Sequence, residues 1–150
     1  MSPLPSCSVR PPTNQRGIGL IEVLITVLVL SVGLLGLAGL QITSLKNNQS
    51  AMERSLAVVQ SYTIVEAIRA DTESAKQGRF NLSLTENAGS GTFPSGVHAL
   101  WREQLKSNLG DEATGSVSCT NTECKVIVQW NDSKATQGSE TQQIVTEVLL

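Results

Sequence analysis

The chain has 150 residues, room for one small domain and an anchor but not for two full domains. Hydrophobic residues make up 40% and aromatics only 3%, so the polar remainder outside any apolar run can support only a modest core. The net charge of −2 comes without a long basic run, which argues against a nucleic-acid partner.

Residues 1–17 hold Arg10 and Arg16 and no carboxylate, so the rest of the chain has nine basic against thirteen acidic residues. Residues 18–40 then read IGLIEVLITVLVLSVGLLGLAGL, with Glu22 as the one charge and Thr26 and Ser31 as further polar side chains. As a helix this run is roughly 35 Å long, enough for a hydrocarbon core of about 30 Å. Arginines before it and a long polar region after it predict a cytoplasmic N-terminus and a C-terminal domain across the membrane. Gly36, Ala38 and Gly39 imitate a secretory cleavage site, which keeps ordinary signal cleavage as a competitor. A lipid anchor at Cys7 is the poorer reading, because no apolar region precedes it.

The junction is Gln15-Arg16-Gly17-Ile18-Gly19-Leu20-Ile21-Glu22. It resembles the class III signal of type IV prepilins: a short basic leader, a glycine, then an apolar run with glutamate at its fifth position. In that family a membrane-embedded aspartyl peptidase cuts after the glycine on the cytoplasmic side and methylates the new amine. The resemblance implies that Gly17 ends the leader, that Ile18 starts the mature chain and that Glu22 docks subunits. Ile18 departs from the Phe or Met more common there. A carboxylate in an apolar segment is costly unless it is paired or near the interface. The Ile18 amine, four residues before Glu22 on the same helical face, or the amine of a neighbouring subunit, can neutralise it.

The stretch VLVLSVGLLGLAGLQ over 27–41 narrows the likeness to the PilV branch, the type IV pilus modification proteins. So do Arg54-Ser55, Ile68-Arg69-Ala70, Trp101 followed by Leu105 and Leu109, and the cysteine pair before Val128 and Trp130. The likeness runs from about Arg16 to Asp132. The proline of that branch near 109–111 is missing here, and only Gly110 is present.

No proline lies between Thr13 and Phe93, which predicts one helix over about 20–71. Leu45, Met52, Leu56 and Val59, with Ala67 nearby, are its expected inner face, and Lys46, Glu53, Arg54 and Ser61 lie largely elsewhere. Gly33, Gly36 and Gly39 recur every third residue and mark a soft place or a close helix contact. Residues 72–93 read as loop with one short strand near 80–84, and 98–109 as a helix with Leu100 or Trp101, Leu105 and Leu109 inward. Trp101 is expected to anchor a core or groove, and the lone His98 is assigned no chemistry. Strands at 117–119 and 125–130 flank a four-residue loop, which sets Cys119 opposite Cys124 for a disulfide. Two cysteines without further ligands do not fill a zinc site. Asp132 reads as turn chemistry, 131–140 as polar loop, and 142–149 as a last strand.

The expected fold is α+β and type IV pilin-like. A long N-terminal helix, membrane-spanning first and amphipathic after, packs on a small antiparallel sheet with one disulfide. The expected segments are a removed leader at 1–17, a transmembrane helix at 18–40, its amphipathic continuation at 41–71 and a periplasmic head at 72–150. No catalytic set, cofactor site or metal cluster is discernible. The resemblance implies a minor pilin, anchored in the inner membrane and active in the initiation of pilus assembly. The partners it implies are the prepilin peptidase, other minor pilins, the major pilin and the inner-membrane assembly platform. A type II secretion pseudopilin is the nearest alternative. A competence pilin is third, and a single-pass enzyme or sensor requires the 17–22 pattern to be coincidence.

Overall fold

The computed structural model describes Gly17 and residues 19–89 and 91–150. Arg10, Arg16, Cys7 and Ile18 therefore lie outside the described residues. The first element, α1 (Leu20–Ala70), is one 51-residue helix, ending one residue before the expected limit. It runs through two compact units that divide between Gly39 and Leu40.

In the first unit α1 is apolar on every side. Its best window has a mean hydropathy of 2.6 and none of it is buried, so length and composition suit a membrane crossing. The two hydroxyls are masked by local bonds, Thr26 Oγ1 donating to the Val23 carbonyl (2.8 Å) and Ser31 Oγ to that of Val27 (2.7 Å). That leaves Glu22, in the first turn, as the conspicuous polar group.

In the second unit, the remainder of α1 packs on a three-stranded antiparallel sheet. The strands are β1 (Thr114–Cys119), β2 (Glu123–Trp130) and β3 (Gln142–Leu149), in the order β1-β2-β3. Val117, Cys124, Val126, Val128 and Trp130 turn inward in strict alternation. They meet Ala57, Ile64, Val65 and Ile68 of α1 and Trp101, Leu105 and Leu109 of α3 (Ser95–Leu109). The arrangement is the expected pilin-like α+β fold. Leu100 is exposed and Trp101 faces the core, which resolves the two expected options.

The expected inner face of α1 holds only in part: Leu56 and Ala67 are partly buried against the core, but the other three residues face outward. Leu45, Met52 and Val59 are 68%, 63% and 58% exposed and Leu56 is only half-buried, whereas Ser61, expected elsewhere, is completely buried. The inward stripe is Ser50, Ala57, Gln60, Ser61, Ile64, Val65 and Ile68. Both stripes repeat at helical spacing, but small side chains at 50, 57 and 61 allow the sheet and the following loop to approach closely. Two of its hydroxyls find partners, Ser50 Oγ donating to the Asp132 carboxylate and Ser61 Oγ accepting from Thr146 Oγ1 at 3.1 Å, whereas Gln60 Oε1 is buried without a partner among the described residues.

Residues 72–93 also differ from the expected loop. Asp71 caps a short helix, α2 (Thr72–Lys76), by accepting the Ser74 N–H at 3.0 Å. The expected strand near 80–84 reduces to a single bridge between Leu82 and Val117. The next outward donor of β1, the Cys119 N–H, is taken by the Asn81 side chain (2.7 Å), which ends the ladder. Gly78, at φ 72°, supplies the turn that brings Asn81 there.

Cys119 and Cys124 are direct cross-strand partners, joined by a disulfide with a Cα–Cα distance of 4.0 Å. Glu123 belongs to β2, so the loop is Thr120–Thr122 and one residue shorter than expected. Reduction, or replacement of both cysteines by serine, is expected to cost about 2 kcal/mol in the chain-entropy account of so small a ring. Thermal melts with and without reductant should differ by about 10 °C. Coincident melts would show that the hairpin holds without the link.

Candidate functional site

Gly17 is exposed, and a Cβ built on it meets nothing within 4 Å. Glu22 follows in the first helical turn, its N–H bonded to the Gly19 carbonyl (3.0 Å) and its side chain exposed. A carboxylate there is favoured by the unpaired N–H groups and dipole of the helix start. Ile18, the third member of the expected site, lies outside the described residues. Cys119 and Cys124 stand in the second unit, within the sheet of the head, and serve structure rather than the N-terminal chemistry.

A junction in the head was not foreseen. Asp132, read as turn chemistry, does order its loop, since its N–H donates to the Ser139 carbonyl (2.8 Å) and its carbonyl accepts from Ala135 (3.0 Å). It also does more. Its carboxylate is 2% exposed and accepts from Ser50 Oγ of α1 at 2.7 Å, with Arg54 Nη2 at 3.5 Å. Thr136 Oγ1 donates to Asn47 Oδ1 at 2.8 Å, a second tie from the same loop to the same stretch of α1. The loop is thus fastened to α1 where the helix enters the second unit. Arg54 entered the sequence reading only as part of a family likeness, and nothing local named its partner 78 residues away.

Arg102 holds another set of ties. Its guanidinium donates to the carbonyls of Gly115 (2.8 Å from Nη2), Ser83 and Glu86, binding the 83–86 turn to the outer edge of β1. Burial lowers its pKa somewhat from the ordinary value. One turn before it, His98 is 4% exposed and edge-on to Phe80, with a centroid distance of 5.7 Å. Its Nε2 has no hydrogen-bond partner among the described residues.

Burial is the main reason the His98 pKa lies below its ordinary value, and the Arg102 charge adds to the shift while Glu86 opposes it. The unfolded chain therefore takes up this proton first. Stability is expected to fall as pH drops below about 6.5, and to stop falling on this account below the folded pKa. Because the chain has one histidine, a denaturation series between pH 7.5 and 5.5 isolates the effect by comparison with His98→Leu. Equal slopes for the two proteins would remove His98 as the cause.

Among the described residues no group of three or more His, Cys, Asp or Glu is placed to hold a metal ion.

Comparison with known families gives a match over residues 12–38, to the model described as the prokaryotic N-terminal methylation motif. The match includes Gly17, Ile18 and Glu22 and ends inside the apolar part of α1, so the chain has a prepilin-like N-terminus. It covers a minor part of the chain and does not extend to the head. Neither the curated proteins nor the solved structures gave a match.

Proposed function

We propose that the chain is a prepilin cut after Gly17 and N-methylated at Ile18, and that the mature protein is a structural, non-catalytic minor pilin of the PilV type. The observation that carries this reading is the methylation motif over 12–38, whose part from Leu20 onward lies on a helix with exposed apolar residues. Cleavage on the cytoplasmic face removes residues 1–17 and leaves a free amine beside the membrane interface. Glu22 is then the counter-charge for that amine or for the amine of an adjacent subunit, which relieves the cost of a carboxylate in hydrocarbon.

The outward stripe of the second unit supports a role in assembly. Ile42, Leu45, Met52 and Val59 are all more than half exposed, a lateral apolar surface suited to neighbouring helices. The peptidase, other minor pilins, the major pilin and the inner-membrane assembly platform are the partners in this reading, and initiation of pilus assembly is the task. The type II secretion pseudopilins use the same kind of motif and anchor. Deletion separates the two, because loss of pili with intact secretion supports the pilus role and the converse supports the secretion role.

N-terminal mass and sequence of the chain from membranes with an active peptidase test the processing. A start at N-methylated Ile18 is expected, and Gly17→Glu should leave Met1 in place by putting a bulky charge at the scissile position. An intact Met1 in the wild-type chain would overturn the reading.

A further inference from the structure

The helix α1 starts close to the bond that the peptidase is expected to cut. Its first residue is Leu20, and Gly17 and Gly19 both lie outside it. Gly19 takes the cap position: its carbonyl accepts the N–H of Glu22 (3.0 Å) and that of Val23 (3.3 Å). Glycine serves as a helix cap nearly as well as serine or asparagine, and far better than alanine or leucine. It also resists the extension of a helix through its own position. Among the described residues, a Cβ at position 19 would meet only Ile21 Cγ2, at 3.8 Å, an ordinary contact. The backbone there is outside the positive-φ region. Alanine therefore fits in space, and what it would change is the helix boundary.

That boundary matters because of the carbonyl at position 17. In an α-helix each carbonyl accepts the N–H four residues on, so a helix extended back through Gly17 would engage the Gly17 carbonyl with the Ile21 N–H. Hydrolysis needs this carbonyl. Water adds to its carbon, the C–N bond to Ile18 breaks, and the hydrogens of water pass to the Ile18 nitrogen and the new Gly17 carboxyl group. A carbonyl bonded within a helix must first be released. We propose that Gly19 is a positioning residue for this cut, stopping α1 at Leu20 and leaving the Gly17 carbonyl to the peptidase. The proposal deepens the prepilin reading and rests on it. It gives Gly19 a role that acts through the backbone of its own chain and not by contact with the enzyme. A substrate whose competent conformer is only partly populated binds more weakly in proportion, so the effect belongs in KM and not in kcat.

The test is cleavage of the full chain in detergent by a purified prepilin peptidase, with initial rates read from the mass of the released 1–17 peptide. Gly19→Ala should raise KM about fivefold and leave kcat within about twofold, because it removes a cap and favours one more helical turn. Gly19→Ser and Gly19→Asn, larger than alanine but good caps, should stay within about twofold of wild type in both. The Ile21 N–H should exchange more slowly in Gly19→Ala than in wild type, through its new bond to position 17. Gly33→Ala is the same change farther along α1, where a Cβ meets nothing within 4 Å, and should leave all three quantities unaltered. With a wild-type chain that is cut, equal KM values for every variant would overturn the inference alone. So would a loss of activity that follows side-chain size from alanine to asparagine, an equal loss in Gly33→Ala, or unchanged Ile21 exchange. A wild-type chain left uncut would overturn the prepilin reading and this inference together.

Discussion

Trp101→Ala is expected to unfold the head or leave it barely folded. The indole is 1% exposed at the meeting of α1, α3 and β1, and its Nε1 donates to the Gln60 carbonyl at 2.9 Å. Removing a buried tryptophan costs about 3–5 kcal/mol through lost transfer energy and the void left behind. The Nε1–H bond to the Gln60 carbonyl is lost with it, a net term of about 1 kcal/mol. Small domains have roughly 5–15 kcal/mol of stability in all, and this head has a short sheet and few aromatics. Trp130, the other tryptophan, remains as the fluorescent reporter for a urea series on the full chain in detergent. Trp101→Phe keeps most of the ring volume and loses the hydrogen bond, so its loss should be less than half as large. A Trp101→Ala midpoint within about 1 kcal/mol of wild type would mean that the indole is not the wedge it looks to be.

Gly115→Ala is expected to destabilise the head as well, and for the same ring. A Cβ at position 115 would stand 2.3 Å from Trp101 Cη2, 2.7 Å from Cζ3 and 2.9 Å from Cζ2. The indole is held on its other side by α1, so β1 or the ring must shift. Overpacking of this kind costs about 1–3 kcal/mol. The backbone of Gly115 is outside the positive-φ region, so the penalty is contact and not conformation. That difference makes the test sharp. In a Trp101→Leu background the clashing atoms are gone, and alanine should then stabilise the strand by about 0.5 kcal/mol over glycine. Additive effects in the double-mutant cycle would refute the coupling.

The N-terminal motif was legible because it is local. Membrane length, leader charge and the spacing from Gly17 to Glu22 are all properties of one contiguous stretch. The family match over 12–38 falls on that stretch and leaves the head to be read from its own packing. Strand β3 fell on its expected residues because alternation at period two is strong over eight positions. The cysteine pairing followed from the hairpin around it, again a short-range matter.

Three features of the head were decided at long range. Both stripes of α1 are periodic, and apolar bulk favours Leu45, Met52 and Val59. The sheet instead selects Ala57, Ser61 and Ile64, because small side chains permit close approach and leave the bulky ones facing outward. Asp132 looks like any turn aspartate until Ser50 and Arg54 are brought across 82 and 78 residues to meet it. Arg102 looks like a solvated helix cation until three loop carbonyls converge on it. The sequence by itself determined the apolar run, the methylation motif on it, the helix length and the β1–β2 hairpin, all of which arise from contiguous periodicity and charge. Only the tertiary structure decided which helix face is inner, which polar groups are buried and which sheet edge is left open. Those outcomes depend on close packing between segments far apart in the chain, and no local pattern encodes them.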